Sequence, residues 1–417
     1  MYLGLDFGTS GARACLIDGQ ATIAHEDRVD YPAQQQQTPL DWREALLLLL
    51  HRIPAELAAQ LQGIAIDATS ATTLLCDADL KPLSPPLMYS DTRASAEAEE
   101  LKSIAPPGHI VCSATSGLAK FLWLTRQTGS EHAAYFLHQA DWLTALLSGQ
   151  PGISDYHNVL KTGYDVAALR WPDWVMSMPL AHLLPEAREP GIDIDRILPD
   201  IATHFGINPG CRIHAGTTDS TAAFIATGVQ DTGIGVTSLG TTLVLKQLSE
   251  KRIDSPEYGV YSHRYGDLWL VGGASNAGAG ILRQYFSDAQ IEMLSALIDP
   301  SKDSPLDYYP LSQPGERFPV SDPQLAPRIE PRPGSDVEFL HGLLQGLSRI
   351  EASGYAKLRK LGAPRLQRVV TAGGGARNET WRKLRARYLG LPVTNAAHSE
   401  AAFGCALLSA GSACPAQ

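Results

Sequence analysis

Cysteine, methionine and aromatic residues are scarce in this 417-residue chain, at 6 Cys, 5 Met and 7% Phe, Trp and Tyr. The cysteines, Cys15, Cys76, Cys112, Cys211, Cys405 and Cys414, are scattered, with no Cys-x-x-Cys pair and no Cys/His cluster at zinc spacing. This argues against a disulfide framework and a structural metal and for reduced core thiols. Long apolar runs are missing too. The stretch Ala45–Leu50 is too short to span a bilayer and is flanked by Arg43, Glu44, His51 and Arg52, so it reads as buried helix. No Lys/Arg run offsets the formal net charge of −10, which argues against a nucleic-acid partner. The chain opens on strand-forming residues, so no leader segment is expected and the cytoplasm is the expected address.

A composition of 44% hydrophobic and 19% charged residues is that of a soluble globular protein, and the length implies about two domains. Repetition fixes their nature. Residues 3–16, LGLDFGTSGARACL, and residues 234–247, IGVTSLGTTLVLKQ, each read as an apolar strand, a Gly-Thr turn and a second strand. Such turns leave backbone N–H groups outward and unobstructed, able to wrap a phosphate chain, and two of them suggest two half-sites on one nucleotide.

Two further pairs match. Gly63–Asp67 running into Ala68-Thr69-Ser70 parallels Val369–Ala372 running into Gly373-Gly374-Gly375, and the small-residue helix 219–228 parallels 400–411. Matching order in both halves is what two copies of one α/β unit would give. The first unit is expected to open as a meander, Leu3–Phe7, Ala12–Ile17 and Ala21–His25, with Asp18-Gly19 as a tight turn. Strands alternating with helices then predict a mixed sheet covered on both faces. The Pro-rich stretch 299–336 reads as a long excursion over the surface of the second unit, and 337–361 as a long amphipathic helix.

Seven pieces in fixed order now carry a likeness: Asp6-Phe7-Gly8-Thr9-Ser10, Pro39-x-x-Trp42, Tyr89-Ser90-Asp91-x-Arg93, Gly216-Thr217-Thr218-Asp219-Ser220, Ser238-Leu239-Gly240-Thr241-Thr242, the helix around Gln345-Gly346, and Gly373-Gly374-Gly375-x-x-Asn378. The chain resembles the FGGY carbohydrate kinases over nearly its whole length. The resemblance implies the actin-like ATPase (ribonuclease H-like) fold, two duplicated α/β domains with a cleft between them. It places the sugar-binding domain at 1–226 plus 400–417 and the nucleotide-binding domain at 227–399. The chain is most similar to the compact plant and cyanobacterial ribulose or xylulose kinases. Bacterial xylulose kinases usually carry Gly-Gln-Met-His-Gly where this chain has Asp67-Ala68-Thr69-Ser70-Ala71-Thr72, and glycerol kinases an Arg-Glu pair, which disfavours glycerol. The acid usual in the long helix is Gln345 here.

By this likeness the ligands are ATP with Mg2+ and a ketopentose, D-ribulose first and D-xylulose second. An actin-like ATPase without sugar phosphorylation is the alternative from another class. Asp219 follows the predicted strand Arg212–Ala215 and opens a helix, which suits an N-cap as well as a base; the resemblance makes it the catalytic base. Asp6 ends the first strand, where a turn-stabilising role is equally open; the resemblance makes it the magnesium site and, with Ser70 and Asp219, the sugar-binding set. Gly8, Thr9 and Ser10 would cradle the phosphates from one side and Gly240, Thr241 and Thr242 from the other. The break Gly373, Gly374, Gly375 would admit a purine or its ribose, with Asn378 as hydrogen-bonding partner and Trp381 as an adenine contact or a core aromatic. Asp91 and Arg93 either frame the sugar pocket or form a surface ion pair. His138, His157, Lys161 and the oligomeric state stay unassigned.

Overall fold

The computed structural model describes residues 1–32, 36–127 and 129–411, which form two compact units: Met1–Ala226 with the C-terminal segment beginning at Glu400, and Thr227–Ser399. Unit 1 is built on the strands β1 (Tyr2–Phe7), β2 (Gly11–Ile17), β3 (Ile23–Asp30), β4 (Gly63–Ala68), β5 (Asp193–Arg196), β6 (Arg212–His214) and β7 (Thr217–Thr218). Their order is β3-β2-β1-β4-β6-β5, with β7 also paired to β4. The parallel strands β1 and β4 are buried almost throughout, as near-continuous apolar runs should be when helices cover both faces.

Unit 2 repeats the frame with β8 (Ile234–Leu239), β9 (Leu243–Ser249), β10 (Tyr261–Tyr265), β11 (Leu268–Ser275), β12 (Arg368–Ala372) and β13 (Val393–Asn395), in the order β10-β11-β9-β8-β12-β13. In each unit the first strand pairs antiparallel with the second and parallel with a later one, β1 with β4 and β8 with β12.

Three helices matter most to the site. α1 (Pro39–His51) starts on a capping box, Thr38 with Asp41, and buries Ala45, Leu46, Leu49 and Leu50. α2 (Gly117–Thr125) is N-capped by Ser116 and packs Leu118, Phe121 and Leu124 into a second core of unit 1 around Phe136. α3 (Asp219–Ala226) follows β7 directly. In unit 2, α4 (Asp336–Lys360) is capped by Ser335, with Asp336 and Glu338 in its first turn and Lys357, Arg359 and Lys360 in its last, matching the helix dipole at both ends. α5 (Glu379–Leu389) follows β12, and α6 (Ala401–Ser409) returns to unit 1.

That return departs from a simple halves-of-the-chain repeat: the small-residue helices α3 and α6 belong to the same unit and pack together there. A side chain at Gly404 would run into the Ala222 carbonyl, and one at Gly4 into the Ala402 carbonyl, so α6 lies backbone-close on both α3 and β1. Three expectations are corrected. The third strand runs Ile23–Asp30, not Ala21–His25. The connection before it is no Asp-Gly two-residue turn but a loop closed by Asp18 N–H to Thr22 O, with Ala21 in the left-handed region (φ 60°) and Asp18 Oδ1 accepting from Gln20 and Thr22 N–H. The Pro-rich stretch is more than a surface excursion: Tyr308, Leu311 and Phe318 enter the core of unit 2 beside Phe339 and Leu343.

Candidate active site

The parallel strands of unit 1 bring its acids together. Asp6 on β1 lies in register with Asp67 on β4, Asp67 with Thr217 on β7, and Asp219 follows β7 as the first residue of α3. Asp6 is 4% exposed, Asp67 fully buried and Asp219 half-buried. Arg13 stands opposite Asp6 on β2; its Nη1 donates to Asp6 Oδ2 at 3.3 Å and also meets Glu400 Oε2 at 3.5 Å. Burial, then the charge of Asp219, pushes the Asp6 carboxyl up to about 6, against the opposing pull of Asp67 and Arg13. Burial and the charges of Asp6 and Asp219 push Asp67 well above the carboxylate range. Neither Asp67 oxygen makes a hydrogen bond of ordinary length.

A buried polar network holds β7 from behind. His157 Nδ1 meets Thr217 Oγ1 at 2.7 Å, and Asn158 Nδ2 donates to Thr217 O at 3.2 Å. Asp155 accepts from the backbone N–H of His157 and Asn158 and from Asn158 Nδ2 at 2.6 Å. Burial, then the charge of Asp141, raises Asp155 to about 7. His138 bonds Asp141 Oδ2 at 2.7 Å and Thr162 Oγ1 at 3.0 Å. Both histidines left unassigned by the sequence are therefore buried in hydrogen-bond networks, and His157 supports the strand end that delivers Asp219. Asp219 Oδ1 accepts from Ser220 N–H at 2.6 Å.

The turns follow the same strand ends. Gly8 N–H donates to Gly11 O at 3.0 Å, Thr9 and Ser10 are exposed, and Gln37 Nε2 donates to Thr9 O at 2.6 Å. Ser70, half-exposed, lies just beyond β4, followed by Ala71 in the left-handed region (φ 63°). In unit 2, Thr241 is exposed, and the Gly240–Thr242 turn is backed by a loop after β11: Ala279 N–H donates to Gly240 O at 2.9 Å and Gly280 N–H to Thr241 O at 3.2 Å. A side chain at Gly278 would strike the Thr241 carbonyl, so this loop can only be small there. Gly373 sits at φ 80°, and because Ser238 and Ala372 are in register, its break leaves the sheet beside the 240–242 turn.

Two nucleotide assignments change. Trp381 is 2% exposed, a core residue packed against Gly375, and offers no open face for a purine. Asn378 is the N-cap of α5: its Oδ1 accepts from Trp381 N–H at 2.9 Å and its Nδ2 donates to Ser295 Oγ at 2.8 Å, so both ends of the amide serve the fold. Asp91 and Arg93 form an ion pair, Arg93 Nη2 to Asp91 Oδ2 at 2.6 Å, with the guanidinium over Trp123. Gln345 bonds both backbone groups of Ser304, accepting from its N–H and donating to its carbonyl, which a carboxylate could not do.

The sequence reading assigned no role to Asp67, Arg13 or the glycine loop at 278–280. An acid inside the otherwise apolar GIAIDA strand was the available signal for Asp67.

Residues 1–226 match the N-terminal domain of the FGGY family of carbohydrate kinases, and residues 235–413 its C-terminal domain. The chain belongs to the FGGY family. A xylulose kinase of Escherichia coli (strain K12) is 25% identical across 93% of this chain and 84% of its own length. A gluconokinase of Bacillus subtilis (strain 168) is 22% identical across 92% and 81%. A crystal structure of xylulose kinase from Rhodospirillum rubrum superposes with a TM-score of 0.85 over 98% of this chain and 89% of that one, at 20% identity. The fold is thus the actin-like, two-domain α/β fold of this family, and the FGGY protein is a phosphotransferase that acts on an alcohol group of a carbohydrate. The more particular expectation of a plant or cyanobacterial subgroup finds no match among these relatives.

Proposed function

We propose that this FGGY kinase transfers the γ-phosphoryl group of ATP to a hydroxyl of a ketopentose. The observation that carries the reading is the convergence of Asp6, Asp67, Asp219 and the Ser70 loop at the carboxyl ends of adjacent strands in unit 1, where an open α/β sheet binds its ligands. Asp6, Ser70 and Asp219 bind the sugar, and Asp219 accepts the hydroxyl proton as the new P–O bond forms. Gly8, Thr9 and Ser10, with Gly240, Thr241, Thr242, Gly373, Gly374 and Gly375, supply backbone N–H and hydroxyl donors to the phosphates and the ribose. Phosphoryl transfer needs little covalent help beyond position and charge stabilisation, which is what such a donor set provides.

Magnesium fits with one reservation set by the donors. Among the described residues no group of three or more His, Cys, Asp or Glu side chains could cage a metal. Mg2+ that arrives on the phosphates and keeps its waters needs only one or two carboxylates, and Asp6 is that carboxylate. When bound, the ion neutralises phosphate charge. It would also offset the crowded acids that raise Asp6.

D-ribulose is favoured by the Asp67–Ser70 stretch, which replaces the residues usual in bacterial xylulose kinases. D-xylulose is the second reading, favoured by the xylulose kinases among the relatives. ADP release measured across ketoses, aldoses, polyols and glycerol separates them. Turnover on a ketopentose supports the proposal; turnover on gluconate or a polyol alone, or sugar-independent hydrolysis, overturns it.

A further inference from the structure

Lys120 is 0% exposed, in the middle of α2, and its ammonium has no carboxylate among its hydrogen-bond partners. Its three N–H bonds go instead to three backbone carbonyls: Ala71 O at 2.7 Å, Met88 O at 2.7 Å and Tyr89 O at 3.4 Å. Burial pulls the amine down to about 7; Asp91 opposes that pull, and Lys161 and Arg93 add to it. A fold that needed only packing at this position would use a methionine or leucine, since replacing a buried charge by an apolar side chain is often stabilising.

The carbonyls it collects are informative. Ala71 directly follows Ser70 and holds a left-handed backbone, which a residue with a Cβ adopts only when its surroundings impose it. Met88 and Tyr89 belong to the segment that leads into the Asp91–Arg93 pair. The two segments are tied elsewhere as well: Thr73 and Leu87 exchange backbone bonds, and Tyr89 N–H donates to Thr72 Oγ1. Lys120 lies where these ties meet and turns three carbonyls inward. Ser70, beside the clamped Ala71, stays half-exposed.

We propose that Lys120 is the positioning residue for the acceptor sugar: by clamping the Ala71 and Met88 carbonyls it fixes the Ser70 loop in its strained form and sets sugar affinity without touching the sugar. The proposal rests on the ketopentose reading above. A Lys120→Met variant keeps length and apolar packing while losing all three donors. Its KM for the sugar should rise about tenfold or more, while KM for ATP and kcat at saturating sugar stay within about threefold, because only binding shared by ground and transition states is lost. Hydrogen exchange at the amides of 68–72 and 88–90 should quicken in the same variant. An unchanged sugar KM with unchanged exchange overturns the proposal, as does an equal loss in both KM values and kcat with a lowered melting temperature, the mark of a merely structural role. If the methionine variant does not fold, Lys120→Gln, which keeps two N–H donors, takes its place with a smaller rise expected. Should the wild-type chain phosphorylate none of the sugars, the ketopentose reading fails by itself, and exchange in the two segments still judges the clamp.

Discussion

β1 and β8 run into the same kind of Gly-Thr turn, yet two places before the glycine stand Asp6 in unit 1 and Ser238 in unit 2. Their parallel neighbours carry Asp67 and Ala372 in those same registers. One backbone frame is therefore used with acids at the strand ends in one unit and with small neutral residues in the other. A carboxylate at that position can meet a metal ion carried on phosphates or a sugar hydroxyl, whereas a neutral residue there leaves the backbone donors of the turn without a like charge beside a phosphate. On the function proposed above, this contrast would divide the labour of phosphoryl transfer between the units.

Buried charge follows the same division. Unit 2 contains Glu351 and Arg385, both essentially unexposed, in a two-point pair at 2.6 and 2.7 Å, with Arg385 Nη1 also donating to Thr371 Oγ1 and Thr237 Oγ1 donating to Glu351 Oε1. Thr237 and Thr371 are partners across β8 and β12, so this satisfied network stitches together the two strands that lead into the 240–242 turn and the Gly373 break. Unit 1 instead leaves Asp67 without a hydrogen bond of ordinary length beside two other acids. The pair in unit 2 is satisfied within its own network, whereas Asp67 in unit 1 lies buried among charges of its own sign, those of Asp6 and Asp219.

The comparison can be broken most forcefully at Asp219. Replacing it by Asn should lower kcat about 10²- to 10⁴-fold with little change in melting temperature; steady-state kinetics beside thermal unfolding check this, and near-normal turnover would end its role as base. Glu351→Gln should act in the opposite manner, destabilising unit 2 by about 3–5 kcal/mol because Arg385 is left buried and unpaired. Calorimetry reads that loss, and a melting curve like the wild type's would show the pair to be dispensable.

Acidity sharpens the contrast further. With Asp6 raised to about 6, the free enzyme loses its carboxylate below that pH, so kcat/KM for the nucleotide should drop about tenfold per pH unit there, and the slope should vanish in Asp6→Asn. Stability moves the other way. A carboxyl whose folded-state pKa is raised contributes fully below its unfolded value of 3.8 and loses that contribution as pH rises through about 6, which the difference in melting temperature between wild type and Asp6→Asn should trace. The mildest change is Ser238→Asp, which writes the unit 1 residue into unit 2: KM for ATP should rise about tenfold with the sugar KM unchanged, and equal effects on both ligands would dissolve the division.

Much of the fold was legible because backbone chemistry leaves marks in sequence. The Gly-Thr turns, the apolar strands before them and the capped, period-3.6 pattern of α4 are local statements, and they appear where their residues place them. The meander's third strand slipped because the loop after Asp18 takes its left-handed residue at Ala21 rather than at Gly19, where the sequence points to a turn. Trp381 and Asn378 resisted assignment for a related reason: a core tryptophan and a capping asparagine carry the same letters as an adenine contact and its partner, and only packing tells them apart.

By itself the sequence determined the duplicated strand-turn-strand frame and the family, and offered Asp6 and Asp219 as candidates, since motifs depend on residue types at fixed short spacings. Only the tertiary structure decided that Asp67 joins them, that His157 and Asn158 brace β7, and that Lys120 gathers carbonyls from two loops. Those relations link residues tens of positions apart, through strand register and burial, and no local pattern encodes which distant backbone a buried side chain will meet.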